Sequence, residues 1–362
     1  MEQPSISLCM IVRNEEKYLP KCLSSVQGTV DEIIIVDTGS TDDTVAIAKS
    51  FGAKVIRMPW QGSFADARNR SFDEATGDWI LWLDADEELD AEEAGKLKEL
   101  LAHNDAREHG IEGILLVVTN LFKGGLEYNS LLRIVRNRPQ YRFEGRVHEQ
   151  IVPSMLKFTP DLKIGQVNIH VYHHGYLVEN VVDKDKGRRN TTLLRQAMSE
   201  QPDAGHYLYF LGVELYRSRD LEGALDQFNE FLSKEDDFGT PLLSSAHKYR
   251  LGILADMGRY DDLVRHSVDS IAQFPGFPDL YHLQSIGYKG LGEIDKAISS
   301  LQQALRVGPA EQGYPSIAGF GTYLTCRDLG LLFESAGRSE DADLCFTLAA
   351  LKVDNARMTM SS

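Results

Sequence analysis

The chain has 362 residues, 43% hydrophobic and 25% charged, an ordinary soluble globular balance with length enough for two or three domains that bury cores. Its formal net charge of -16 argues against nucleic acid or an anionic membrane surface as the main partner. No basic region precedes an apolar run at Met1-Glu2-Gln3-Pro4 and no segment nears the ~18 consecutive apolar residues of a membrane span, so neither signal peptide nor span is expected and the cytoplasm is the default location.

From Ile6 to about Val118, short apolar strands alternate with helical patterns. A strand over Ser7 to Val12 precedes a helix from about Glu15 to Val26, and a second strand runs Ile33 to Asp37. The next helix is expected to open at Ser40, with Asp43 three residues on in a capping-box pattern, and to end near Gly52. Lys54 to Arg57 makes a third strand, Phe64 to Ala75 a helix, and Trp79 to Leu83 a fourth strand. This order predicts a parallel sheet with right-handed crossovers. The run Trp79-Ile80-Leu81-Trp82-Leu83, bounded by Gly77 and then by acid, suits a central strand covered on both faces. Ligands of open α/β sheets bind beyond the carboxyl ends of the strands, where this one delivers Asp84 and Asp86. Hard oxygen ligands there suit Mg²⁺ or Mn²⁺ shared with a phosphate-bearing substrate. The other use of the acids is as a cap, with Asp84 to Glu88 beginning the helix that reads Asp90-Ala91-Glu92-Glu93. Residues 111 to 175 are less regular, with strand-like pieces at Ile114–Val118, Leu131–Val135 and Val167–Val171.

Beyond about residue 200 a helix-turn-helix rhythm takes over. Tyr281, Tyr288, Gly292, Ala297, Leu301, Ala304 and Pro309 fall at the offsets of a tetratricopeptide unit of about 34 residues. Ala224, Leu263, Ala297 and Ala342 take equivalent second-helix positions, and Gly258-Arg259-Tyr260, Gly292-Glu293-Ile294 and Gly337-Arg338-Ser339 equivalent turns. Small residues let paired helices approach and Gly permits the turn between them. Insertions are expected around Phe238 to Pro241 and from Glu311 to Gly321. Cys9, Cys22, Cys326 and Cys345 show no Cys-x-x-Cys spacing and read as reduced and packed.

Taken together, Met10-Ile11-Val12-Arg13-Asn14-Glu15-Glu16, Ile35-Val36-Asp37-Thr38-Gly39-Ser40-Thr41-Asp42-Asp43-Thr44, Ala67-Arg68-Asn69 and Gly77 to Asp86 resemble the family 2 glycosyltransferases of the GT-A fold over roughly residues 5 to 90. With its repeats the chain is similar to the bacterial branch that includes the glycosyltransferases of glycocin peptides and flagellin. The resemblance weakens between 90 and 140 and returns in Phe143-Glu144-Gly145-Arg146-Val147-His148-Glu149 and His173-His174-Gly175-Tyr176. It implies that Val12, Asn14, Glu15 and Asp37 hold the nucleoside, the Asp37 carboxylate accepting from a uracil-like N–H. An Asx-turn with Gly39 is the other use of Asp37. The resemblance also implies Arg68 near the diphosphate or Asp84, where a guanidinium fork suits either, with a surface ion pair to Asp66 or Asp73 as the alternative. It makes Asp86 the first metal contact, Asp84 a contact to ribose or the same ion, Ala85 part of the same nucleotide-sugar loop, and His173 the next ligand, with Mn²⁺ or Mg²⁺ as the cation. Zinc at His170, His173 and His174 finds no cysteine nearby, and a packed or capping role remains open for His173.

Sugar transfer needs a stabilised leaving diphosphate and an acceptor made nucleophilic on the opposite face. Glu149 is the candidate base, with His148 orienting it or touching the acceptor; a salt bridge to Arg146 or Arg142 is its other use. Lys184, Lys186, Arg188 and Arg189 either help the leaving group or form a solvated linker. The expected architecture is an α/β GT-A nucleotide-sugar domain over residues 1–180, a linker or helical connection over 181–203 and an all-α tetratricopeptide-like repeat domain over 204–362. The expected activity is metal-dependent inverting transfer of a glucose- or N-acetylglucosamine-type sugar from a UDP-sugar to a peptide or protein bound by the repeats, which could equally make a homodimer. The rivals are a cell-surface polysaccharide or lipid-linked acceptor, and a non-catalytic repeat scaffold.

Overall fold

The computed structural model describes residues 4–102, 110–122, 125–174, 184–202, 204–234, 238–311 and 313–360. The chain divides into two compact units, residues 1–181 with 192–200, and residues 182–191 with 201–362.

In the first unit the chain order is β1 (Ile6–Val12), α1 (Leu19–Ser25), β2 (Glu32–Asp37), α2 (Thr44–Ser50), β3 (Lys54–Arg57), α3 (Phe64–Phe72), β4 (Trp79–Trp82) and β5 (Glu87–Leu89). Then come α4 (Ala91–Ala102), β6 (Ile111–Phe122), β7 (Gly125–Arg136), α5 (Val152–Phe158) and β8 (Lys163–His173). These strands lie in the order β3-β2-β1-β4-β7-β6-β8-β5. Strands β3, β2, β1 and β4 are mutually parallel, as expected of alternating strands and helices. Beyond β4 the parallel rule fails. β7 runs antiparallel to both β4 and β6, and β5 antiparallel to β8. The reason is local: β6 and β7 are joined by a short connection, which only antiparallel neighbours permit.

A two-residue period sorts the parallel strands between two cores. Leu8 and Met10 of β1, Ile35 of β2 and Trp79 and Leu81 of β4 pack with Leu19 and Leu23 of α1 and Leu97 of α4. Cys9, Ile34, Ile80 and Trp82 face the other way, onto Ala65 and Phe72 of α3 and Met155 of α5. With β1 central and its neighbours β2 and β4 reached in opposite directions, the sheet has a topological switch point beside β1, the usual place for a ligand crevice.

Two helix starts differ from the sequence reading. The first helix begins at Leu19, not near Glu15, and the second at Thr44, not after Ser40. Asp43 makes no side-chain cap, and Ser40 instead bonds Asn14 across the sheet end, so the capping-box pattern is spent on joining two loops. The third helix ends at Phe72, three residues before Ala75. Residues 181–203 include α6 (Lys184–Glu200), whose residues are shared between the units.

The second unit is a series of helix pairs: α7 (His206–Arg217) with α8 (Leu221–Leu232), α9 (Gly239–Asp256) with α10 (Tyr260–Gln273), α11 (Pro278–Gly290) with α12 (Ile294–Val307), and α13 (Tyr323–Ser335) with α14 (Ser339–Met360). Ala224, Leu263, Ala297 and Ala342 are all buried. Gly258, Gly292 and Gly337 have φ of 70°, 77° and 72°, the left-handed turn expected of them, and Arg219 takes the corresponding place in the first pair at 66°. The expected insertion near Phe238 is absorbed as extra length in the 18-residue helix α9. Among the described residues no helix is long and apolar enough to cross a membrane.

Candidate active site

Asp84 and Asp86 share a face because the chain after β4 keeps a strand's alternation. Leu83, Ala85, Glu87 and Leu89 are buried while Asp84, Asp86, Glu88 and Asp90 are partly exposed. The acids are not helix caps. Asp90 caps α4, its Oδ1 accepting from the Glu92 and Glu93 N–H groups at 3.0 and 3.1 Å, and Glu87–Leu89 intervenes as β5.

Arg68 organises the centre. It stands on α3, where Ser63 accepts from the Asp66 N–H and caps the helix, and its side chain is 11% exposed. Its Nη2 donates to Asp84 Oδ1 at 2.8 Å, its Nε donates to Glu149 Oε1, and its guanidinium lies over the Phe143 ring. Neither surface alternative is realised. Arg68 does not pair with Asp66 or Asp73, and Glu149 does not pair with Arg142 or Arg146, which take Asp73 and Glu200. Next along α3, Asn69 grips the Phe143 backbone through both amide atoms, at 2.8 and 2.9 Å. That grip carries the loop holding His148 and Glu149 onto α3, and Glu144 and Gln150 close the loop by exchanging backbone bonds. His148 sits at its crest with φ 52°, a strained value for a non-glycine residue.

Burial alone would raise the Asp84 carboxyl, but Arg68 and then Arg133 outweigh it and hold Asp84 well below the usual carboxylate range. Beneath it, fully enclosed Glu87 accepts from the Asp84 N–H at 2.9 Å and pairs with Arg133. Burial raises the Glu87 carboxyl despite that guanidinium. Neither Glu87 nor Arg133 was singled out in the sequence. The parity of the alternation, which turns an acid at 87 inward, is the signal that could have found the first; Arg133 lies 46 residues away and left none.

Asp86 faces His173. The His173 Nε2 is 3.3 Å from Asp86 Oδ2, and its Nδ1 is 2.9 Å from Asn120 Oδ1. A carbonyl oxygen can only accept, so Nδ1 carries the proton, and a neutral ring then aims the Nε2 lone pair at a carboxylate oxygen. Two lone-pair donors so close require positive charge between them. Accordingly Asp86 outweighs the effect of burial and raises the His173 pKa. The wider cluster, Asp84, Asp86, Glu87 and Glu149 against Arg68 and Arg133, is two negative charges in excess when ionised. One oxygen, one imidazole nitrogen, an orienting amide behind it and two uncompensated charges fit a divalent cation that completes its shell from phosphate and water. The three histidines do not form a zinc set: His170 turns to Glu93 and His174 to Glu88, and among the described residues no group of three ligating side chains converges.

Across the switch point, the loops after β1 and β2 are stapled together. Asn14, at φ 57°, donates its N–H to Ser40 Oγ at 2.9 Å and accepts from the Thr41 N–H at 2.8 Å, while the Glu15 N–H donates to Thr44 Oγ1 at 2.7 Å. Val12 is buried and its carbonyl accepts from the Thr38 N–H. Asp37 ends β2 opposite Val12, buried, with Oδ1 accepting from the Ser40 N–H at 3.0 Å, an Asx-type turn that uses one of its two oxygens. Buried Ala85 separates the two acids. The structure thus brings Arg68, Asp84 and Glu149 together, pairs Asp86 with His173, and joins Asn14 to the loop after Asp37. Gly175 and Tyr176 lie outside the described residues, as do the side chains of Lys184 and Lys186, and Arg189 bonds its neighbour Asn190.

The model of the family described as Glycosyl transferase family 2 matches residues 7–146. A TPR repeat-containing protein of Synechococcus elongatus is 32% identical over 84% of this chain and 76% of its own length. The SPbeta prophage-derived glycosyltransferase SunS of Bacillus subtilis is 32% identical over 66% of this chain, which spans 55% of the SunS length. Among solved structures, a crystal structure of MamA is 18% identical with a TM-score of 0.41, covering 49% of this chain and 94% of its own.

Proposed function

Because this chain belongs to glycosyl transferase family 2 and carries tetratricopeptide-like repeats, it is a glycosyltransferase, and we propose that it moves a glucose- or N-acetylglucosamine-type sugar from a UDP-sugar to a peptide or protein, inverting the anomeric centre. The observation that carries this reading is the convergence of Arg68, Asp84 and Glu149 at the carboxyl end of β4, beside the Asp86–His173 pair. A polypeptide acceptor is favoured because the repeat unit offers stacked helix pairs, and the likeness to SunS, named a glycosyltransferase, over two thirds of this chain supports the transfer itself. A cytoplasmic setting belongs to the same proposal, and the four free, buried cysteines agree with a reducing one.

In this mechanism Asp37 and the stapled loop of Val12, Asn14 and Glu15 hold the uridine, with the second Asp37 oxygen accepting from the base. Asp84, fixed as a carboxylate by two guanidiniums, accepts from a ribose hydroxyl or shares the cation. Asp86 and His173 would hold Mn²⁺ or Mg²⁺, which supplies Lewis-acid stabilisation of the leaving diphosphate. As the acceptor oxygen or sulfur bonds to the anomeric carbon, the bond to UDP breaks and the acceptor proton passes to Glu149. His148, on the adjacent crest, contacts the acceptor. Arg68 fixes Glu149 in place for that transfer.

The test is UDP release across donor sugars in the presence of candidate peptides, followed by intact mass of the peptide. A hexose or N-acetylhexosamine increment on the peptide is expected. Transfer only to lipid or polysaccharide would replace the acceptor, and the absence of UDP release with every donor tested would remove the nucleotide-sugar reading.

A further inference from the structure

Arg133 reaches the acids after β4 through an irregularity in the sheet. Between β6 and β7, Ile114 faces Ile134 and Leu115 faces Leu132, so Arg133 has no residue opposite it on β6. It is the extra residue of a β-bulge, a device that bends a strand and re-aims a side chain. The bulge also breaks the alternation of β7. Ile134 packs in the core under α1, while Leu132, two residues earlier, packs against the core under α3, although an unbroken strand would put both on one face.

The guanidinium so placed is buried, donates Nη2 to Glu87 and leaves its Nε enclosed without a partner. A buried ion pair with an unmet donor adds little to the stability of a fold, so stability does not account for it. What Glu87 holds does. The Asp84 N–H donates to Glu87 Oε2 at 2.9 Å and the Glu87 N–H donates to the Asp84 carbonyl at 3.0 Å, so Glu87 closes in both directions the turn that carries Asp84 and Asp86. In β5, Glu87 lies directly opposite His173 of β8, whose neighbour on β6 is Asn120, and residues so opposed share a sheet face. The His174 N–H donates to the Asp86 carbonyl at 2.9 Å and ties Asp86 to the same ladder.

We propose that Arg133 and Glu87 are positioning residues of the donor site: the bulge brings Arg133 beneath the acids to clamp Glu87, and the clamped carboxylate fixes the turn that presents Asp86 to the cation facing His173. Neither residue touches the substrate. The inference rests on the reading that Asp86 and His173 hold a divalent cation, and adds that their spacing is set from below by a pair no ligand reaches.

The experiment titrates Mn²⁺ into the full chain in the presence of excess UDP, reading bound ion from the loss of the free-ion paramagnetic resonance signal, with the melting temperature of each variant measured alongside. Glu87→Gln and Arg133→Gln should each weaken Mn²⁺ binding at least about tenfold. Arg133→Lys keeps the charge and can keep the single bond to Glu87, so it should bind within about threefold of wild type. The apolar pair, Glu87→Leu with Arg133→Met, leaves no charge buried alone; it should regain the melting temperature that the single variants lose, yet still bind Mn²⁺ at least about tenfold more weakly than wild type. A purely structural role would not give that split, since affinity would return with the fold. Where the single variants do not fold, the apolar pair and Arg133→Lys decide. The inference alone is overturned if the folded variants bind Mn²⁺ as wild type does, or if the apolar pair regains affinity together with stability, while Asp86→Ala still abolishes binding. A wild type that takes up no more Mn²⁺ than Asp86→Ala overturns the cation reading and this inference with it.

Discussion

Arg68 shows how much one side chain decides here. Its fork bonds Asp84 and Glu149 at once, and the Arg68–Glu149 contact is about nine-tenths buried on both sides. Removing one partner of such a pair leaves an uncompensated charge, which costs about 3 kcal/mol. Arg68→Ala should therefore lower the melting temperature of the first unit by roughly 6–12 °C in differential scanning fluorimetry, and Arg68→Lys should recover little of it because an ammonium cannot bridge both acids. A small, fully lysine-rescued shift would mean that the pair is a surface ornament. Glu149→Gln should separate chemistry from binding: kcat should fall ~10²–10⁴-fold while UDP affinity stays within a few-fold. Equal loss of both would make Glu149 a scaffold for Arg68 instead of a base. The sequence exposed these residues unevenly. Arg68, Asp84 and Glu149 stand in recognisable local contexts, but which acid the arginine chooses is fixed by contacts 16 and 81 residues apart.

Strands β1, β2 and β4 were readable because each is a short apolar run, β2 ending in Asp37 and β4 running on to Asp84, and the alternation within them assigns faces. The start of α2 was not, since Ser40 and Asp43 satisfy a local capping pattern that the bond to Asn14 overrides. In the repeats, turn glycines were legible while Arg219 was hidden, as an arginine carries no turn signal. Arg219→Gly should raise the unfolding free energy read from urea titration by about 0.5 kcal/mol, and Gly292→Ala should lower it by about 1 kcal/mol; the exposed Arg219–Asp256 pair adds little against this. Shifts of the same sign would show that backbone conformation does not govern these turns. The first helices also carry two buried histidines. Burial, then Arg250, pushes His247 down to about 4, and burial, then Arg327, pushes His282 down to about 3. A histidine whose folded pKa is depressed takes its proton in the unfolded chain first, so stability falls as pH drops from about 6.5 toward 4. For His247 the loss is at most roughly 3 kcal/mol, and His247→Gln should flatten the pH dependence of the unfolding midpoint across that window. An unchanged slope would assign the acid sensitivity elsewhere.

At the scale of the whole molecule, an α/β unit and a helical array were both legible because strand and helix periods differ, and the 39-, 34- and 45-residue steps between Ala224, Leu263, Ala297 and Ala342 still show a repeat. The mixed half of the sheet was not, since β6, β7 and β8 read as isolated apolar pieces, and whether they pair antiparallel, as β6 and β7 do, or parallel, as β6 and β8 do, depends on contacts far apart in sequence. The proposed catalysis rests on the acids after β4. Calorimetric titration of UDP into the full chain, with Mn²⁺ and with EDTA, against wild type and Asp86→Ala, tests that most directly. Binding at least about tenfold tighter with Mn²⁺ in wild type, and loss of that difference in a folded Asp86→Ala, is the expected result. Equal affinity with Mn²⁺ and EDTA, or a metal response that survives Asp86→Ala, would contradict it.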